Sequence, residues 1–98
     1  MEVRFADEVL DRLETDATFT GGFAPGVVKA FRKRIQMIRQ APDERVFHAL
    51  RSARFERLKG KRTHQWSMRL NDQWRLIVEL ELQGPTKVVV IRGIEDYH

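Results

Sequence analysis

Residues 55–78, FERLKGKRTHQWSMRLNDQWRLIV, decide how the rest of this 98-residue chain is arranged. From His64 to Leu70 the character alternates, with Trp66, Met68 and Leu70 on one side and Gln65, Ser67 and Arg69 on the other. A repeat of two is that of a half-buried strand, whose successive side chains point to opposite faces. Asn71-Asp72-Gln73 supplies a turn, since Asn and Asp tolerate left-handed backbone and hydrogen-bond it with their own side chains. Trp74 to Leu82, rich in Trp, Ile, Val and Leu, returns as the second strand of an antiparallel hairpin. Arg69 and Arg75 then lie on adjacent strands near the turn, while Lys59, Lys61 and Arg62 lead into the first of them. A sheet edge carrying several cations wants an anion, and the obvious large one is phosphate.

On the N-terminal side, Glu2 to Phe5 reads as a short first strand. Asp7 is placed to cap a helix from Glu8 to Leu13, with Val9, Leu10 and Leu13 as its apolar stripe. Thr15 to Gly26 is a break rich in turn residues, and its Phe19 and Phe23 predict a loop docked on the core. Val27 to Gln40 is the strongest helix: Val27, Val28, Phe31, Ile35 and Ile38 share one face, and Lys29, Arg32, Lys33 and Arg39 face away. Ala41-Pro42 ends it, because the residue before proline is pushed out of helical geometry. Asp43 can cap a further turn carrying Val46, Phe47 and Leu50. Phe55 to Leu58 is a short strand. Beyond the hairpin a Gly84-Pro85 turn leads into Lys87 to Ile94, a β-branched run expected of a strand buried on both faces. The order predicts one α+β domain over residues 1–98, with helices on one face of a mainly antiparallel twisted sheet. Strands after the helices argue against helix-turn-helix DNA binding.

Composition narrows the function classes. An apolar fraction of 42% and a charged fraction of 33% describe a folded globular chain. No apolar run reaches membrane-spanning length and the first residues do not resemble a signal peptide, so a cytoplasmic setting without membrane partners is expected. The chain has no cysteine, and its three histidines, at 48, 64 and 98, lack ligand spacing, so neither a metal nor another cofactor is expected. The formal charge of +4 is uneven. Residues 1–16 carry six acids and two bases, whereas residues 29–62 carry twelve bases and three acids, a local excess of nine. Positive charge gathered in the middle third is the footprint of a nucleic-acid partner, although charged helix faces are commonly just solvated.

Three pieces together resemble the HigB branch of the RelE/ParE toxin superfamily: Leu58-Lys59-Gly60, then Ser67-Met68-Arg69-Leu70-Asn71 followed by Trp74-Arg75, and Glu95-Asp96-Tyr97-His98. The match covers about the C-terminal 45 residues, with a compatible helical half before it. The resemblance implies a microbial ribonuclease-like sheet whose concave face cuts messenger RNA on the translating ribosome without a metal. It also implies contact with ribosomal RNA and neutralisation by a helix-turn-helix antitoxin of HigA type. Lys59 and Arg75 match the family's catalytic lysine and arginine, and Asp96, Tyr97 and His98 its terminal triplet. Where some relatives carry a catalytic His two positions before the leucine, this chain has Glu56, which leaves the general base open.

The residue types suit that chemistry. Metal-free RNA cleavage needs a base for the 2′-hydroxyl, cations for the phosphate and an acid for the leaving oxygen. Lys59 and Arg75 can hold the phosphate, with Arg69 a second candidate. Glu56 or His98 can serve as base, and His98 equally as acid. Tyr97 offers a ring for stacking, Asp96 can orient a neighbour, and Lys61, Arg62, Arg69 and Arg57 can bind RNA. The bland readings are a solvated basic loop, a surface Glu56 paired with an arginine, and Trp66 and Trp74 as core anchors. Two other functions stay open: a same-fold toxin of the ParE kind directed at gyrase, and a non-catalytic RNA-binding module.

Overall fold

The expected hairpin is present as β3 (Trp66–Arg69) and β4 (Trp74–Gln83) in the computed structural model, which describes residues 1–97. Its turn is held as the residue types dictate: Asn71 Oδ1 accepts from the Gln73 and Trp74 N–H groups at 2.9 and 2.8 Å. Gly84, at φ +60°, lets β4 fold back into β5 (Thr86–Asp96), and the two strands pair along ten positions. β1 (Glu2–Phe5) runs parallel to β5, and β2 (Glu56–Arg57) runs antiparallel to β3. The order β1-β5-β4-β3-β2 makes a mixed five-stranded sheet with a single parallel pair. This is the α+β class expected, with helices on one face.

The three helices are α1 (Glu8–Thr15), α2 (Pro25–Gln40) and α3 (Arg45–Ala49). Asp7 caps α1 by accepting from Leu10 N at 2.9 Å. α2 begins two residues earlier than expected, at Pro25, whose fixed φ suits the first helical position and whose missing N–H has no intrahelical role there. Asp43 Oδ1 accepts from Arg45 N–H at the start of α3. Leu10, Leu13, Val28, Phe31, Ile35, Ile38 and Phe47 pack on Met68, Leu76, Val78, Val89 and Ile91 to form the core. Val9 departs from the stripe assigned to it and is 48% exposed, because α1 is only two turns long and turns a narrow face inward.

Two cations expected to point into solvent are instead structural. Arg32 donates to the carbonyls of Leu13, Asp16 and Phe19, so it holds the loop between α1 and α2. That loop docks Phe19 and Phe23 against the core, as read from the sequence. Arg39 pairs with both oxygens of Glu14 at 2.8 and 2.7 Å and joins α2 to α1.

β5 is buried from Val88 to Ile91 on both faces, in agreement with its β-branched run. A register shift separates the Ile77↔Gly93 pair from Val78↔Ile91, which leaves Arg92 as an extra residue on β5. Phe31 is fully buried beside Phe5, with ring centroids 6.4 Å apart. Replacing Phe31 with Ala is expected to cost about 3–5 kcal/mol, read as a lower urea midpoint with an unchanged slope.

Candidate active site

The helices cover one face of the sheet, so alternation along β4 sends Leu76, Val78 and Leu80 toward them and Arg75, Ile77 and Glu79 to the outer face. Register carries that outer face across the neighbours. Arg69 and Glu95 flank Arg75, while Ser67 and Gly93 flank Ile77, and Glu56 lies opposite Ser67.

Arg75 is the centre of this face. It is only 6% exposed. Its Nη1 donates to Ser67 Oγ at 3.1 Å and lies 3.9 Å from Glu56 Oε2. Its guanidinium carbon sits 3.7 Å from the centre of the Tyr97 ring, a cation–π contact. Tyr97 is fixed through its backbone, whose N–H donates to Gln73 O at 2.7 Å, yet the residue stays 57% exposed. One ring face is therefore taken by Arg75, while more than half of the residue stays open to solvent.

The basic loop is fastened over the same row. Arg62 holds both oxygens of Glu95, at 2.9 and 2.6 Å, and reaches Gln65 Oε1 at 2.8 Å. Since Glu95 pairs with Arg75 in register, this clamp brings the 3-10 turn Gly60–Arg62 above the site. Gly60 takes φ +67°, a left-handed value that other residues adopt only under strain, so the turn after Lys59 depends on it. Lys59 and Lys61 are exposed and form no ion pair among the described residues.

The sequence-derived candidates thus divide. Lys59, Lys61, Arg62, Arg69, Arg75, Glu56 and Tyr97 come to the outer face or to the loop beside it. Arg69 is paired with Asp72 of the turn. Glu56 does lie beside an arginine, and that arginine is Arg75. Arg57 is not brought there: it pairs opposite Trp66 and places its guanidinium 4.8 Å from that ring, on the helix side of the sheet. Asp96 lies opposite Trp74 and accepts from Gln73 Nε2 at 3.1 Å. His98 lies outside the described residues. Trp66 stacks on Phe55, and Trp74 meets Phe23 edge-on, so both act as anchors.

Sequence reasoning missed Ser67 as the partner of Arg75, and it missed a polar cluster farther along the same face. Glu79 Oε2 accepts from Gln65 Nε2 at 2.9 Å and Arg92 Nε at 2.8 Å, and His64 Nε2 stands 3.8 Å away. The period of two that places Gln65 and Ser67 on one face was the signal for both. Among the described residues no three His, Asp or Glu gather as a metal site.

With this geometry in view, comparison with known proteins is direct. The family of HigB-like toxins, RelE-like toxins of type II toxin–antitoxin systems, matches residues 3–98. The chain belongs to the HigB-like toxins. In structure it is similar to the YoeB/ParE toxin from Agrobacterium tumefaciens, with a TM-score of 0.57 over 100% of both chains and 16% identity, a likeness of fold. No curated protein matches it in sequence. As a type II toxin it has an antitoxin partner. Among its described residues no helix is long and apolar enough to cross a membrane.

Burial pushes the Glu79 carboxyl up, but the hydrogen bonds from Arg92 and Gln65, with the charges of Arg92 and His64, outweigh it and hold the group below its ordinary 4.5. A depressed carboxylate stabilises the fold above the unfolded-state value and loses that contribution as pH falls through the native one. Glu79→Gln is therefore expected to narrow its stability gap to wild type between pH 7 and pH 3 in urea unfolding. A gap that stays constant across that range contradicts the assignment.

Proposed function

We propose that this HigB-like toxin is a cytoplasmic, ribosome-dependent endoribonuclease that cleaves translated messenger RNA with protein groups alone. The observation that carries this reading is Arg75, held nearly out of solvent by Ser67, Glu56 and the Tyr97 ring, with a loop clamped beside it whose lysines form no ion pair among the described residues. A preorganised cation in a low-dielectric setting is worth most where charge develops in a transition state.

In this reading the 2′-oxygen attacks the adjacent phosphorus and the bond to the 5′-oxygen breaks, giving a 2′,3′-cyclic phosphate and a 5′-hydroxyl end. Arg75 and Lys59 take the charge growing on the phosphate. Glu56 accepts the 2′-hydroxyl proton, and His98 supplies the proton to the leaving oxygen. Tyr97, backed by Arg75 on one face, stacks a base on the other, and Asp96 steadies Gln73 beneath it. Lys61, Arg62 and Arg69 lie where the flanking RNA backbone passes. The ribosome, including its RNA, presents the message, and a helix-turn-helix antitoxin of HigA type neutralises the toxin.

The test is induction in a tightly regulated bacterial host with mapping of 5′ ends on a translated message and on its untranslated control. Codon-phased ends are expected only on the translated message. Lys59→Ala and Arg75→Lys should each reduce them by about 10²–10³-fold, and Glu56→Gln by about 10²-fold or more. Circular dichroism of the purified variants separates lost chemistry from lost fold. Growth arrest without new ends would instead favour a gyrase-directed toxin. Salt-sensitive RNA binding with neither arrest nor cleavage would leave the binding module.

A further inference from the structure

On the outer face a chain of side-chain hydrogen bonds leaves β5 and returns to it, passing through the basic loop on the way. Glu95 of β5 holds Arg62 through both oxygens. Arg62 Nε donates to Gln65 Oε1 at 2.8 Å, and Gln65 Nε2 donates to Glu79 Oε2 at 2.9 Å. The same Glu79 oxygen accepts from Arg92 Nε at 2.8 Å, which brings the chain back to β5. Glu95 stands in the row of Arg75, and Glu79 lies two rows farther along β4. Arg62 therefore reaches across the row between them, where Ile77 is buried although no helix covers that side.

Gln65 is the link on which the chain turns. One end of its side chain meets a guanidinium, which only donates; the other meets a carboxylate, which only accepts. An amide offers an acceptor to the first and a donor to the second. Turned over, it would set like against like at both ends. A carboxylate at this position would repel Glu79, and an ammonium would repel Arg62. Glu79 is itself buried, so that end of the relay is anchored in the sheet.

The backbone of Gln65 grips the loop as well. Its carbonyl accepts from Leu58 N–H at 2.9 Å, and its N–H donates to Arg62 O at 2.9 Å. Arg62 N–H in turn donates to Lys59 O at 3.3 Å. Lys59 thus sits between two residues that Gln65 holds, Leu58 through the main chain and Arg62 through main chain and side chain.

We infer that Gln65 and Glu79 are positioning residues for Lys59, fixing where the lysine loop stands relative to Arg75. The inference rests on the reading that Lys59 and Arg75 share the charge of one phosphate. Both residues act through Lys59 rather than on the RNA. A lysine is a point charge on a flexible stem, so its backbone must be held if the ammonium is to be in place before the reaction. A displacement of about 1 Å costs on the order of 10²-fold in rate. Because Arg92 is the extra residue on β5, the relay also ties the loop to the bulge.

The test exchanges the two ends of the Gln65–Glu79 bond in the full chain. Gln65→Glu sets one carboxylate against another. Adding Glu79→Gln restores every bond of the relay with donor and acceptor exchanged. Two measurements are made: trypsin cutting after Lys59 and Lys61 relative to Lys29 and Lys33, and single-turnover cleavage of a message on purified translating ribosomes. Gln65→Glu is expected to speed trypsin cutting of the loop at least tenfold. It should also slow cleavage at saturating toxin at least tenfold, with the half-saturating toxin concentration unchanged. The double variant should return both to within threefold of wild type. A loop no more accessible in Gln65→Glu, or a loss that the double variant does not recover, overturns the inference. So does a change confined to the half-saturating concentration, which would make Gln65 an RNA contact. If the wild type cuts no message while the trypsin pattern holds, the endonuclease reading falls and the hold on the loop stands.

Discussion

The Arg75 guanidinium is a charge held almost out of water, and most of the outer face is arranged around keeping it there. Removing an ion from solvent costs several kcal/mol unless hydrogen bonds and opposite charge replace the lost hydration. The replacements come from separate strands. Ser67 belongs to β3, Glu56 to β2, and Tyr97 follows β5. They converge only if β5, β4, β3 and β2 stand in that order and register. The helices contribute indirectly. By covering Leu76 and Val78 they fix which face of β4 is the outer one, and so where Arg75 points.

A second division runs through the cations. In the middle third and the hairpin, several arginines are committed to structure: Arg32 to loop carbonyls, Arg39 to Glu14, Arg62 to Glu95, Arg69 to Asp72. A planar fork that meets two oxygens at once is well suited to such work. The lysines of the same stretch, Lys29, Lys33, Lys59 and Lys61, form no ion pair among the described residues. The local excess of nine positive charges therefore overstates what is available for a ligand. Among the described residues, the cations left without an ion pair include two pairs of lysines on two surfaces, one beside Arg75 and one along α2.

Much of this was legible in the sequence because it rests on period and turn chemistry. The alternation around Trp66 and Met68, the Asn71 turn, the α2 stripe and the β-branched β5 each specify one local answer, and tertiary packing agrees with it. Arg57 escaped because a strand of two residues has no alternation to read. Val9 was misplaced because two helical turns do not define a stripe. Ser67 was counted on the correct face, yet nothing in a lone serine says that it will hold a buried arginine from the next strand. The structural duty of Arg32 was hidden for a related reason: its partners are backbone carbonyls, which carry no residue signature.

The placement of Tyr97 shows how one residue can set a site. Before the irregularity, Val89 and Ile91 of β5 face the helices; after it, Ile94 does, while Glu95 and Tyr97 share the outer face with Arg75. Odd-numbered residues face inward on one side of Arg92 and outward on the other. Were Arg92 paired in regular alternation instead of bulged, Glu95 and Tyr97 would turn toward the core, since a one-residue slip exchanges the two faces of a strand. Arg62 would lose its clamp on Glu95, and Arg75 its aromatic cover. Arg92 itself is held on the outer face by Glu79 at 2.8 Å, so the ion pair and the bulge support each other. The same strand can thus bury a β-branched segment on both faces and still deliver its last residues to the chemistry.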